Sequence, residues 1–321
     1  MTASTEPQEP ASAAAPARRI PDFFIVGHHK SGTTALYEML RRHPQIFMPS
    51  LKEPRFFATD LRELVPSTPQ QPDTLEEYLA LFEEAAPEQR VGEASPSYLR
   101  SSTAAGAIAE LKPDARIIAI LREPASFVRS MHLQMLQEHV EQEKDLATAF
   151  AREEIERAGK RVLRYSDHVR YVEQLRRYHD VFGRERVLVL IYDDFRDDNE
   201  GTVKRVLAFL GVDDSARIEA VEANPTVRVR SMRVDSLARK LYGGRNPLSR
   251  GLRSASRLLL PQRLRRRALD GLRRSIVYGR PQEVDRAVEL ELRRHYRDEV
   301  VALSEYLGRD LVAEWGYDGL D

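Results

Sequence analysis

Lys30-Ser31-Gly32-Thr33-Thr34 gathers a cation, three hydroxyls and a glycine into five residues. The apolar run Phe23 to Val26 precedes it and stops at Gly27. A helical pattern with Ala35, Leu36, Met39 and Leu40 opens at Thr33. Strand, glycine loop and helix start make an anion site, because the free N–H groups of the first helical turn and the helix dipole point into the loop. The expected occupant is a phosphate. Lys30 would supply charge, Ser31, Thr33 and Thr34 amides and hydroxyls, and Gly32 a close backbone approach. A surface lysine on a loop is the plain alternative.

A nucleotide-kinase loop places its lysine directly before the Ser/Thr, where it reaches the β/γ-phosphates while the hydroxyl holds Mg²⁺. Gly27 and Gly32 have that spacing, but Thr33 follows Gly32 and the lysine sits earlier, at Lys30. This order resembles the 5′-phosphosulfate loop of sulfotransferases that use 3′-phosphoadenosine 5′-phosphosulfate (PAPS), relatives of the P-loop kinases. The resemblance continues through Lys52-Glu53-Pro54-Arg55-Phe56-Phe57, through Gly92 to Leu99 (GEASPSYL), and through Leu121-Arg122-Glu123-Pro124 with Ser130 eight residues past the arginine. A closing phrase, Leu307 to Leu311 with Trp315, is similar to bacterial members. The motifs lie nearest the glycan and heparan-sulfate-type branch.

The resemblance implies transfer of a sulfo group from PAPS to a hydroxyl or amine of a saccharide, glycolipid or other small acceptor. Adenosine 3′,5′-bisphosphate would be released, and no metal would be needed. Lys30 would neutralise the 5′-phosphate and bridging oxygen, and Ser31, Gly32, Thr33 and Thr34 would complete the loop. Glu53 stands where the glycan branch carries its catalytic base; the competing bases are His28, His29 and His132, and the plain alternative is a carboxylate paired with Lys52 or Arg55. Arg122 and Ser130 would clamp the 3′-phosphate, since arginine offers a bidentate fork. Arg228, Arg230 and Ser231 fit a further phosphate or adenine loop by order and charge. Two departures weigh against a heparan-like acceptor: Ala94 replaces a lysine of the branch, and only Gly279-Arg280-Pro281 remains of its C-terminal phrase.

Strands alternating with helices must position these residues. Ala115 to Leu121 and Arg186 to Tyr192 are continuous apolar runs suited to buried parallel strands, and Gln89 to Ala94 reads as a short strand. Helical spacing covers Leu75–Phe82, Ala104–Leu111, Phe127–Val140, Ala147–Ala158, Tyr165–Phe182, Thr202–Leu210 and Glu283–Leu307. The expected fold is α/β, a P-loop-type parallel sheet flanked by helices on both faces, in one domain from 20 to 321.

Residues 1–19 are rich in Ala, Pro and Glu without a signal-peptide pattern and read as a disordered leader. The 321 residues hold no cysteine, which excludes disulfides and thiolate chemistry, and no apolar run approaches a membrane span. A cytoplasmic location is expected. Net charge is zero, yet between Arg228 and Arg280 fifteen arginines and one lysine face only Asp235 and Asp270. This Arg/Leu-rich helical insertion, about 234–280, either covers apolar surface with arginine stems or meets a phosphate, an acidic acceptor or an anionic membrane. Nucleic acid is not expected, since no base-reading motif accompanies the charge. A metal-dependent kinase, with Asp193-Asp194 as its Mg²⁺ acids, and a non-catalytic membrane-surface protein are the alternative functions.

Overall fold

Alternate residues of the first strand enter opposite halves of the core: Phe23 and Ile25 join one apolar cluster, Phe24 and Val26 the other, and each is at most 1% exposed. A strand buried on both sides is a central strand of a parallel sheet. The computed structural model describes residues 19–62, 70–138, 140–152, 154–157, 160–215, 228–229, 278–279 and 285–320. Along the chain run β1 (Phe23–Gly27), α1 (Thr33–Leu40), β2 (Ile46–Phe47), α2 (Leu75–Ala80), β3 (Arg90–Ala94), α3 (Ala104–Leu111), β4 (Arg116–Leu121) and α4 (Pro124–Gln137). Next come α5 (Leu146–Arg152), β5 (Glu154–Arg157), β6 (Lys160–Arg164), α6 (Tyr171–Phe182), β7 (Val187–Ile191), α7 (Tyr192–Asp197) and α8 (Asn199–Leu210). Strands β8 (Arg228–Val229) and β9 (Tyr278–Gly279) precede α9 (Arg286–Leu307) and α10 (Leu311–Glu314).

Five parallel strands pair in the order β2-β3-β1-β4-β7. The chain leaves β1 toward one edge and later crosses to the other, so β1 lies between β3 and β4. That reversal opens a crevice at the carboxyl ends of the strands, where open α/β sheets bind ligands. One apolar face packs under α1 and α8 through Leu36, Leu40, Val203 and Leu207. The other packs under α3, α4, α6 and α9 through Ile108, Phe127, Leu175 and Val300. Near its end β1 bulges: Ile25 pairs with Ile118 but Gly27 with Ala119, so Val26 is the extra residue.

The P-loop-type α/β expectation holds. Several helix ends move by two or three residues, and two boundaries move further. The spacing of Ala147 to Ala158 predicts one helix, whereas α5 ends at Arg152 and Glu154–Arg157 pairs antiparallel with Lys160–Arg164. Ala, Glu and Arg favour helix intrinsically, but propensity is a weak prior that hairpin pairing overrides here. The Tyr165 to Phe182 helix begins at Tyr171, behind a 3₁₀ turn at Ser166–His168. Arg19 belongs with the domain, since its guanidinium donates to the carbonyl oxygens of Ala86, Pro87 and Gln89. Residues 1–18 and nearly all of the arginine-rich insertion lie outside the described residues. Among the described residues no helix is long and apolar enough to cross a membrane.

Candidate active site

Gly32 begins α1 with φ 85°, and a Cβ there would sit 2.9 Å from Phe195 Cδ1, so both conformation and space call for glycine. No side chain caps α1, which leaves its first-turn amides directed into the loop. Ser31 is buried and donates to the His29 carbonyl oxygen at 3.3 Å; Thr33 is buried and Thr34 half-buried. Lys30 takes the left-handed conformation, φ 59°. Burial and the nearby Arg122 charge both lower its pKa. A cation disfavoured in this way binds an anion strongly when one arrives.

Arg122 emerges from the end of β4. Its Nη1 donates to the Lys30 carbonyl oxygen at 2.8 Å, its Nε to Ser126 Oγ at 3.0 Å, and its guanidinium carbon lies 4.6 Å from the Tyr192 ring centroid. Tyr171 Oη donates to the Arg122 carbonyl oxygen at 2.9 Å. The following helix is capped by Glu123, whose carboxylate accepts from the amides of Ala125 and Ser126, with Pro124 in the first turn. This cap aims α4 so that Ser130 stands two turns along it, 2% exposed, with an Oγ that finds no partner. A buried hydroxyl without a partner is uncommon and costly, and a phosphate oxygen would satisfy it.

Glu53 and Arg55 are the other non-glycine residues at positive φ among the described residues, at 62° and 56°. Such conformations gather at functional sites. Their turn is clipped to the end of β3: Glu53 N donates to the Ala94 carbonyl oxygen at 3.0 Å and Arg55 N to Ser95 Oγ at 3.1 Å. Lys52 Nζ lies 2.6 Å from Glu53 Oε1 and Arg55 Nη2 2.7 Å from Oε2. Burial works to raise the Glu53 pKa, but His29, Lys52 and Arg55 together outweigh it and hold the carboxyl down at about 2. The group is ionised throughout the neutral range and fixed in one orientation.

The competing histidines separate. His132 is bound by Tyr165 Oη at 2.8 Å and belongs to the packing of α4. His28 is fully buried with both ring nitrogens unpaired, and burial, then the charge of His29, drives it to about 3. His29 is lowered to about 4 by burial, against the attraction of Glu53. Neutral at pH 7, His29 is the histidine in electrostatic reach of the carboxylate. His168, its ring centroid 5.6 Å from that of His28, carries no signal in the sequence, and neither do Tyr171 and Tyr192 stand out there. A histidine in a 3₁₀ turn between β6 and α6 has no periodic pattern to mark it, but the tyrosine that ends a buried strand beside β4 could have been singled out by that position.

Thus Lys30, Ser31, Gly32, Thr33, Thr34, Glu53 and Arg122 come to the carboxyl ends of β1, β3 and β4, while Ser130 stands two turns along α4 and bonds none of them. Arg228 lies in β8, whose backbone approaches α4; Arg230 and Ser231 fall outside the described residues. Asp194 is engaged by Arg309, with Nη2 to Oδ1 at 2.8 Å, and Asp193 by Arg196 at 2.7 Å, so neither acid is free in the way a kinase needs. The arrangement suits two anionic groups on one ligand and deprotonation beside them.

Residues 21–216 match the model of the sulfotransferase family. The chain is 29% identical to human carbohydrate sulfotransferase 15 in an alignment of 153 positions that covers 36% of this chain and 27% of that protein. It is 32% identical to human heparan sulfate glucosamine 3-O-sulfotransferase 6 over 119 residues, 37% of this chain and 32% of that one. These matches span under a third of the relatives' own length. A sulfotransferase of Alicyclobacillus acidocaldarius superposes with a TM-score of 0.65 at 25% identity, covering 92% of this chain and 98% of the other.

Proposed function

The chain belongs to the sulfotransferase family, and from that premise we propose that it transfers a sulfo group from PAPS to a hydroxyl, or an amine, of a saccharide, glycolipid or other small acceptor, releasing adenosine 3′,5′-bisphosphate. One observation carries the PAPS reading: the unpartnered, buried Ser130 hydroxyl on the helix that follows Arg122. A single-phosphate nucleotide would need only the loop. A second phosphate gives Ser130 its partner and Arg122 its charge.

PAPS supplies an activated sulfo group on a phosphate leaving group. Lys30 and the first-turn amides of α1 stabilise charge on the departing oxygen, and positioning with electrostatics provides most of the rate. The transferred group carries one negative charge, which makes one lysine and backbone amides adequate without Mg²⁺. Glu53 takes the proton of the acceptor hydroxyl, held in place by Lys52 and Arg55. Approach of the anionic donor raises the basicity of the clamped carboxylate, since it offsets the cations that depress it. Saccharide acceptors accord with the names of the two human relatives.

The test is calorimetric titration with adenosine 3′,5′-bisphosphate in EDTA. Micromolar binding that Lys30→Ala and Arg122→Ala lose is the expected result. No binding would return the loop to another phosphate and reopen the kinase alternative.

A further inference from the structure

Helix α7 has six residues and buries one of them, Phe195. A helix this short does not hold itself, because so few turns never offset the cost of nucleation. Its place therefore depends on its side chains. On the inner side it meets the anion site at two points. The Phe195 and Tyr192 rings close over Gly32, where a Cβ would sit 2.9 Å from Phe195 Cδ1 and 3.4 Å from Tyr192 Cδ2. The Tyr192 ring also carries the Arg122 guanidinium, whose carbon is 4.6 Å from the ring centroid. Both the loop glycine and the arginine at the end of β4 rest against α7.

On the outer side Arg196 bonds Asp193 and Asp197, which keeps those acids within α7. Asp194 is bonded from a distant part of the chain. Arg309 spans both its oxygens, with Nη1 to Oδ2 at 2.5 Å and Nη2 to Oδ1 at 2.8 Å. The same guanidinium is fixed from behind, since its Nε donates to both Glu314 oxygens at 2.9 Å. Its main chain is pinned as well: Ser304 Oγ donates to the Arg309 carbonyl oxygen and accepts from Leu311 N. An isolated exposed ion pair contributes little, but a bidentate arginine shared by two carboxylates on a fixed backbone is the exception. None of these bonds touches a group assigned to the donor or the acceptor, so the reaction as derived leaves Arg309 without a part.

We propose that Arg309 is a positioning residue for the donor nucleotide. By fixing Asp194 it fixes α7, and through the Tyr192 and Phe195 rings it sets the Arg122 guanidinium and the loop at Gly32 in the geometry that takes the bisphosphate. This deepens the sulfo-transfer reading and rests on its assignment of the nucleotide site.

The experiment compares wild type, Arg309→Gln, Asp194→Asn and the double variant by calorimetric titration with adenosine 3′,5′-bisphosphate. The second readout is the Arg122 Nε–Hε signal of nucleotide-free protein by NMR, assigned by its loss in Arg122→Lys and sensitive to the Tyr192 ring beside the guanidinium. The control is Lys204→Gln, which breaks a comparable pair with Glu200 on α8. Each single variant is expected to bind about tenfold more weakly, an ordinary coupling between linked sites. The double variant should bind no more weakly than either, since both remove one interaction. The Arg122 signal should move in all three and stay in place in the control. Unchanged affinity, additive losses, an unmoved Arg122 signal or an equal loss in Lys204→Gln each overturns the proposal. If wild type binds no bisphosphate while the Arg122 signal moves, the donor reading fails and the hold of Arg309 on Arg122 stands. Wild-type binding that neither variant alters upholds the donor and removes Arg309 from its site.

Discussion

The Arg122 guanidinium reaches across 92 residues of sequence to bond the Lys30 carbonyl oxygen at 2.8 Å. The end of β4 is thereby tied to the anion loop after β1, and the two cations assigned to the two phosphates are mechanically one unit. Arg122→Ala should therefore lower affinity for adenosine 3′,5′-bisphosphate by about 10- to 100-fold, the worth of hydrogen bonds to a charged group. Affinity for the analogue lacking the 3′-phosphate should change far less. Equal losses for both nucleotides, read by calorimetry, would move the 3′-phosphate clamp elsewhere.

Among the described residues no carboxylate stands within ion-pairing distance of Lys30, so its removal costs chemistry and not fold. Lys30→Ala is expected to lower kcat/KM by roughly 100-fold or more, typical for loss of one group that stabilises developing charge. The melting temperature should stay close to wild type. Near-normal turnover in a sulfo-transfer assay would remove the loop from the reaction.

Ser130→Ala separates stability from binding. Deleting a buried hydroxyl that has no partner should leave the fold unchanged or more stable by about 1 kcal/mol. The same change should weaken bisphosphate binding about tenfold, since a phosphate oxygen loses its donor. Urea denaturation and calorimetry on one preparation test both halves. A destabilised variant with unaltered binding would make Ser130 a packing residue.

Glu53 has a folded pKa of about 2 against an ordinary 4.5. A depressed carboxylate pKa means stability that is fully present above about pH 4.5 and is lost as the pH falls toward 2; the shift corresponds to about 3 kcal/mol. Glu53→Gln should thus be less stable than wild type at pH 7, with the gap narrowing steadily below pH 4.5 in urea midpoints. The variant should bind nucleotide but fail to transfer. A gap independent of pH, or unimpaired transfer, contradicts the ion-clamp account or the base assignment respectively.

Gly32→Ala should destabilise by about 1–3 kcal/mol, through its left-handed conformation and its contact with Phe195. A thermal scan measures it. An unshifted melting temperature would mean that the loop relaxes freely, which the buried Phe195 argues against.

The parallel sheet is readable because β1, β4 and β7 are apolar runs of strand length ended by Gly27, Arg122 and Tyr192, and burial on both faces leaves no alternative pattern. The loop residues are equally readable, since glycine and hydroxyl spacing reports backbone chemistry directly. What sequence does not convey is pairing. Proximity in the chain suggests Lys52 or Arg55 as a partner for Glu53, but only the fold shows that both bond it at once, one to each oxygen. The hairpin after α5 escapes for a related reason: its residues favour helix one by one, and only the partner strand decides otherwise.

Glu123 caps α4 and also receives the Tyr317 hydroxyl, while Arg293 stands 3.8 Å from it. With Leu292, Val300, Leu303 and Leu311 closing the apolar face over α4 and α6, the chain's last described helices brace the start of α4. The stretch that matches the family model stops at residue 216, so Arg293 and Tyr317, which brace Glu123 at the start of α4, lie outside it.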